Sequence, residues 1–479
     1  MMQRINDKLA EKWAQLGPDF LPFADAATVE LPMSRLLRLS LFQVSVAIAV
    51  VLLNGTLNRV MIVEMGMSSA LVALMVSLPL LFAPLRALIG YRSDTHKSAI
   101  GWRRVPYIWF GSMLQFGGLA IMPFALIVLS GDSTGPAWAG PVGASLAFLL
   151  VGAGLHTTQT AGLALATDIA PAHTRPRVVA FLYVMLLIGM VASSLMFGAL
   201  LSHFSQIRLI QVIQGAAMLT LVLNFVALWK QEQRRPDLTS HDAEHVNFAG
   251  AWRSFKASDS RAERALFTVA LGTAAFSMQD ILLEPYGGEI LKLGVGATTG
   301  LTGILALGTL TGFVLAARQL ARGIDPYRLA GYGAVAGLVA FPAVMFSAQT
   351  LSVTLFCSGA ALIGFGGGLF SVGTLTAAMN MTRNDQSGLA LGTWGAAQAT
   401  ASGVAIAAGG AIRDSVGKLA SADALGPALT GPAVGYNAVY NLEIILLLAT
   451  LVAVGPLVRR TNTAQQLPQT KFGLAEFPS

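Results

Sequence analysis

The chain has 479 residues, of which 54% are hydrophobic and 11% charged, with 50 glycines and a formal net charge of +7. Soluble domains carry roughly 25% charged residues, so this composition excludes an ordinary soluble protein and points to a bilayer. The single cysteine, Cys357, excludes intramolecular disulfides and thiolate metal clusters, and the basic excess is explained by membrane topology and anionic lipid before nucleic acid.

Residues 1–35 carry charges throughout and have no continuous apolar core, so they predict no removable signal peptide. Trp13, Phe20, Leu21 and Phe23 among those charges predict an amphipathic helix lying in the cytoplasmic interface. From there on, apolar windows predict twelve helices, at 36–63, 68–89, 105–130, 142–167, 178–201, 208–229, 264–284, 297–317, 328–347, 351–379, 387–411 and 437–458. The fold expected is an all-α membrane protein of twelve transmembrane helices. Of the 31 Lys and Arg, only Arg59, Arg208, Lys292, Arg413 and Lys418 fall on one face of that arrangement, with Arg86 near a helix end. All the others fall on the opposite face, which predicts both termini in the cytoplasm.

The polar stretch 230–263 divides the chain into halves, 36–229 and 264–458, followed by a tail at 459–479. The halves share a glycine pattern. Residues 152–168 align without a gap on 364–380, matching Gly152 with Gly364, Gly154 with Gly366 and Asp168 with Asn380. A midpoint linker and an internal repeat together predict a duplicated six-plus-six architecture.

Two loops carry a family signature. "IGYRSDTHKSAIGWRR" (89–104) resembles the helix 2–3 loop of the major facilitator superfamily, with Gly90, Asp94, Arg103 and Arg104 in order. "TDIAPAHTRPR" (167–177) resembles its helix 4–5 loop, with Asp168 and Arg175. In physical terms, the glycine lets helices approach, and the acids cap helix ends and pair with arginines, latching one face. A narrower resemblance rests on "LFQVSVAIAVVLLNGTLNRVMIVEMG" (41–66), "LLFAPLRALIGYRSDTH" (80–96), "GWRRVPYIWFG" (101–111) and "QDILLEPYGGEIL" (279–291). These are similar to the bacteriochlorophyll-delivery family, also called the PucC and LhaA family of light-harvesting assembly factors.

That resemblance implies an intracytoplasmic photosynthetic membrane in a purple phototrophic bacterium, and bacteriochlorophyll as cargo. It also implies antenna alpha and beta polypeptides of the light-harvesting and reaction centre complex as partners and contact with bacteriochlorophyll synthase; the client is either the core or the peripheral antenna, with the reading leaning to the core. A magnesium chlorin needs one axial ligand. His156, near the middle of the fourth predicted helix with Gln159 and Thr160 at i+3 and i+4, is the best-placed candidate. The more ordinary reading is a neutral histidine hydrogen-bonded across a Gly-rich helix contact.

The stretch 276–290, "FSMQDILLEPYGGEI", puts Asp280 and Glu284 one helical turn apart at membrane depth, where an acid normally faces protein or water. Pro285 and Gly287–Gly288 predict a break in the helix. Asn54, Asn58 and Arg59 of helix 1 lie at similar depth, so Arg59 is expected to pair with Glu284 or Asp280, with Asn58 and Tyr286 completing a gate or portal. The pair of acids also fits a proton-coupled secondary transporter of a small solute, and a pigment-free assembly scaffold is a third reading. Phosphate-binding loops, His-Glu-x-x-His and nucleophile–base pairs are absent from the sequence, so no enzyme is expected.

Overall fold

A computed structural model describes residues 31–81, 102–130, 138–171, 174–232, 262–380 and 387–458, together with Ile89, Ser93 and Pro136. All regular structure among these residues is helical. In chain order the helices are α1 (Met33–Glu64), α2 (Ser69–Leu81), α3 (Val105–Leu129), α4 (Ala139–Ile169), α5 (Arg175–Leu200) and α6 (Gln206–Leu228). They continue with α7 (Glu263–Glu289), α8 (Val295–Ala321), α9 (Pro326–Thr350), α10 (Val353–Asn380), α11 (Ser387–Ser421) and α12 (Ala433–Val454). Ten helices among the described residues are long and apolar enough to cross a membrane, and α2 adds a shorter apolar one. The chain is a multi-pass membrane protein.

The helices form because apolar runs in lipid must satisfy every backbone group internally. They start where the chain supplies a cap or a proline. Asp325 accepts from the N–H groups of Tyr327 (2.8 Å) and Arg328 (3.2 Å) at the head of α9, and Ser205 accepts from Arg208 N–H (3.2 Å) at the head of α6. Pro106, Pro176 and Pro326 sit in first turns, where a missing N–H leaves no bond unmade.

Three features depart from the sequence expectation by more than a shift of a few residues. The second half of α1 winds as π-helix over Val51–Leu57 and Val60–Glu64. α11 runs on to Ser421, past the expected end at 411. In α7 the irregularity lies at a 3-10 turn, Met278–Ile281, and not at Pro285 and Gly287–Gly288, which belong to the regular helix Leu283–Glu289. Pro285 falls in the first turn of that segment, where proline is tolerated.

Within the first six helices, α3 packs on α4 and α6, and α1 on α5 and α6. Within the last six, α9 packs on α10 and α12, α7 on α11 and α12, and α8 on α10. The α8–α10 contact is close enough that a Cβ on Gly308 would strike the carbonyl of Ala361, and one on Gly364 that of Leu305. Between the two sets, α2 packs on α11, α5 on α8, and α1 on α7 and α8.

One apolar core, containing Leu57, Met61, Phe148, Phe197, Leu283, Tyr286 and Tyr440, runs through both sets of helices and gathers mostly toward the end that carries Arg59. At the end that carries Arg104 the described residues fall into two separate cores. One, with Leu36, Leu39, Phe42 and Val178, belongs to the first set, and among the described residues only Ala317 from the second set packs on it. The other, with Ala316, Leu320, Leu329 and Leu369, belongs to the second set.

Candidate functional site at the helix seam

The π-helical half of α1 lies against α7 and α8, and its side chains join the two sets of helices. Thr56 and Thr299 hydroxyls are 3.3 Å apart. Asn58 is fully buried; its Nδ2 donates to the carbonyl of Asp280 (3.4 Å) and its Oδ1 accepts from Arg59 N–H (2.5 Å). Ser194 of α5 donates to the carbonyl of Thr299 (2.5 Å) and accepts from Gly303 N–H (2.9 Å). These bonds recruit backbone groups as well as side chains, so the seam is held by small residues at short range.

Arg59 takes a different partner from the one expected. Its guanidinium is buried and pairs with Glu64, five residues on in the same helix, while Nη2 donates to the carbonyl of Leu293 (3.1 Å). Neither Asp280 nor Glu284 forms an ion pair with it. Five-residue spacing lies off the face of an α-helix, but the i→i+5 winding of a π-helix brings such residues into line. Gly288 gives the guanidinium room, since a Cβ there would lie 3.0 Å from Arg59 Nε.

The acids of α7 are placed by its break. Glu443 of α12, fully buried, accepts from the N–H of Gln279 (2.8 Å), one of the backbone donors freed where α-helix gives way to the 3-10 turn. Gln279 Nε2 in turn donates to Asp280 Oδ1 (2.6 Å) and to the carbonyl of Phe276 (3.2 Å). Glu284 is 3% exposed; its Oε1 accepts from the Thr302 hydroxyl, while Oε2 has no hydrogen-bond partner among the described residues. A cavity of about 160 Å³ lies here, lined by Asn54 from α1, Met190 from α5, Gln279, Asp280 and Glu284 from α7, and Thr302 from α8.

Tyr286 does not join this cavity. It is fully buried two residues beyond Glu284, on another face of the helix, and its hydroxyl donates to the carbonyl of Val344 (3.2 Å). Its ring packs with Phe356, Tyr436 and Tyr440 at centroid distances of 5.4–5.6 Å. Tyr286 is therefore a core residue of the second set of helices, not part of a portal.

A further network near the Arg59 end was not anticipated. Arg413 of α11 donates to Glu289 (2.6 Å) and to Asp414 (3.0 Å), and lies 4.7 Å from the centroid of the Tyr436 ring. Tyr436 also donates to Glu289 (2.9 Å), and Asp414 accepts from Ala70 N–H (2.8 Å) at the start of α2. Glu289 lies at the end of the stretch 276–290, but no local spacing ties residue 289 to residue 413.

At the opposite end the loop signatures come together in part. Arg104 is buried and its Nε pairs with Asp168 (2.9 Å), with Arg103 at 3.6 Å from the same carboxylate, while Arg104 Nη1 donates to Ser93 (2.6 Å). Gly90 and Asp94 lie outside the described residues. Arg175 donates to the carbonyl of Ala170 (3.4 Å), at the end of α4. Glu232, just past α6, accepts from the N–H groups of Arg103 (2.8 Å), Arg104 (3.1 Å) and Val105 (2.8 Å), capping α3. Gln231 beside it is held by Arg35 of α1 (3.1 Å).

His156, Gln159 and Thr160 lie within α4 as expected, but they divide between two environments. His156 and Thr160 are half-buried, whereas Gln159 is buried and donates to Gln43 of α1 (3.3 Å). His156 and Thr160 are thus the two less buried members of the trio.

Comparison with known proteins places these features in a family. Residues 56–462 match the family model described as PUCC protein. A Rhodobacter capsulatus protein named for its position in the puhA-bchM intergenic region is 54% identical, covering 100% of both chains. Protein PucC of Rhodovulum sulfidophilum is 55% identical over 87% of this chain and 92% of its own length. Among solved structures, the nucleoside transporter NupG has a TM-score of 0.63 at 14% identity, covering 88% of this chain and 98% of that one. This likeness shows the fold alone, which is of the major facilitator type. With a family match over most of its length and more than half its residues shared with full-length relatives, the chain belongs to the PucC protein family.

Proposed function

We propose that this chain is a light-harvesting assembly factor that binds bacteriochlorophyll and hands it to nascent antenna alpha and beta polypeptides of the core complex around the reaction centre. It acts as a carrier and scaffold, not as an enzyme. The observation that carries this reading is identity above one half with Protein PucC over most of the chain. Resemblance on that scale supports a shared role, unlike a shared fold at 14% identity.

The chain's own contribution to pigment binding is His156, a half-buried imidazole inside α4. When bound, the pigment's magnesium draws one axial ligand from such a neutral nitrogen. The seam cavity, at about 160 Å³, is smaller than the roughly 300–1,000 Å³ of pockets for drug-sized ligands. The macrocycle is therefore read as lying along α4 or on the lipid-facing surface, from which single antenna helices can collect it laterally.

The same reading includes twelve membrane crossings in two homologous halves, both termini in the cytoplasm, and an intracytoplasmic photosynthetic membrane. Its support is the recurrence of helix pairings: α1 with α5 and α6 is matched by α7 with α11 and α12, α3 with α4 and α6 by α9 with α10 and α12, and α2 with α4 by α8 with α10. The repeated glycine segments fall on the equivalent helices α4 and α10.

Absorption spectroscopy of the gently solubilised protein from a pigment-making host tests the reading. A bound chlorin band, co-purified antenna polypeptides and loss of the band in His156→Ala are the expected results. A colourless protein that drives substrate-dependent uptake in liposomes would make it a solute porter, and antenna polypeptides without pigment would make it a scaffold alone.

A further inference from the structure

We propose that the cavity between α1, α5, α7 and α8 is a binding site for a hard metal cation of the Na⁺, Mg²⁺ or Ca²⁺ class, held by oxygens of Asp280, Glu284, Gln279 and Asn54.

Two acceptors on residues that line the cavity are without donors. Glu284 Oε2 and Gln279 Oε1 belong to side chains 3% and 1% exposed, yet neither has a hydrogen-bond partner among the described residues. Gln279 has spent its amide N–H groups on Asp280 and on the carbonyl of Phe276, so it offers the cavity only its oxygen. A buried acceptor left alone is destabilising, and a charged one more so.

Charge points the same way. Asp280 and Glu284 both line the cavity, and the guanidinium contributed by α1, Arg59, is already paired with Glu64 and bonded to Leu293. Arg59 acts on Glu284 through space without bonding it, so Asp280, Glu284 and Glu64 share one guanidinium whose bonds go to Glu64 and Leu293, and a further positive charge from outside the chain balances them.

Ligand type then narrows what that charge is. Carboxylate and carboxamide oxygens without sulfur or imidazole suit hard cations and not transition metals. No group of three or more His, Cys, Asp or Glu stands together among the described residues, so the neutral oxygens of Gln279 and Asn54 complete the set. The space fits. A water needs roughly 10–15 Å³, and about 160 Å³ takes an ion with part of its hydration shell.

Because Asn54 comes from α1 and the acids from α7, an ion here bridges the two sets of helices at the seam. The proposal is independent of the pigment reading and stands whether or not His156 is a ligand.

The test measures the thermal midpoint of the purified full-length protein in detergent at constant ionic strength. NaCl is compared with choline chloride, and MgCl₂ and CaCl₂ with a chelator. A saturable rise in midpoint with one of these metals, its apparent affinity weakened by about 10–100-fold or more in Glu284→Gln and Asp280→Asn, is the expected result. Each variant's midpoint in metal-free buffer shows that it folds, and Asn54→Ala supplies a neutral change at the same site if either acid variant does not. A midpoint indifferent to all three metals, an equal rise in the variants, or a rise that follows pH alone overturns the assignment.

Discussion

Arg104 shows how much one side chain organises. It is 5% exposed and bonds Asp168 of α4 and Ser93, while its own backbone N–H is capped by Glu232. Arg104→Ala strips the side chain from both partners at once. A hydrogen bond to a charged group contributes about 1.5–3 kcal/mol and an orphaned buried partner loses more, so a loss of at least about 2 kcal/mol is expected, read as a lowered thermal midpoint and reduced membrane abundance. Arg104→Lys should recover only part of it, because a single ammonium cannot span the partners that the guanidinium fork reaches. An unchanged midpoint in the alanine variant would mean that the loop is held by other contacts. The loop signature made Arg104 and Asp168 legible in the sequence, since acid, base and glycine stood in a recognisable order. Glu232 was not legible: its capping role depends on where the end of α6 comes to rest beside α3, which no local pattern encodes.

At the scale of the element, α7 departs most from an ideal rod. Depth counting along an unbroken helix found Asp280 and Glu284 and set them beside Asn54 and Asn58; in the structure Asn54 lines a cavity with both acids and Asn58 bonds the Asp280 carbonyl. The same counting failed on phase. A four-residue 3-10 turn winds at three residues per turn, which rotates everything downstream by roughly 80° relative to a continuous α-helix. The partner of the break was invisible as well, because Glu443 lies more than 160 residues away in sequence. Glu443→Ala should leave the N–H of Gln279 unsatisfied in an apolar core, with a loss of about 1–3 kcal/mol. Glu443→Gln, which keeps an acceptor oxygen, should lose less. Hydrogen exchange at the Gln279 amide is the direct readout: strongly accelerated in the alanine variant and near normal in the glutamine one. Equal exchange in both would remove Glu443 as the group that holds the turn.

For the whole molecule, the question is how tightly the two sets of helices are joined at each end. Thr56 and Thr299 hydroxyls stand 3.3 Å apart across the seam, so Thr56→Cys with Thr299→Cys, in a Cys357→Ser background, should form a disulfide on mild oxidation. Cleavage at a protease site inserted in residues 233–261 after oxidation should leave the halves joined on a non-reducing gel, and separate them on a reducing one. Halves that separate without reductant would show that this end of the seam spends its time apart. The sequence indicated that there would be a seam, through the midpoint linker and the repeated glycines. It held no sign of which end would be sealed, since that is decided by many weak contacts between helices far apart in the chain.

The apolar core shared by both sets of helices near Arg59, against separate cores near Arg104, gives the molecule a built-in direction. Prising it apart at the sealed end would wet one continuous greasy surface, at roughly 25 cal/mol for every Å² uncovered, and among the described residues the other end shows no comparable shared core. A passenger made mostly of hydrocarbon would meet a dead end at the sealed end. Departure sideways, between helices and into lipid, never has to break that seal.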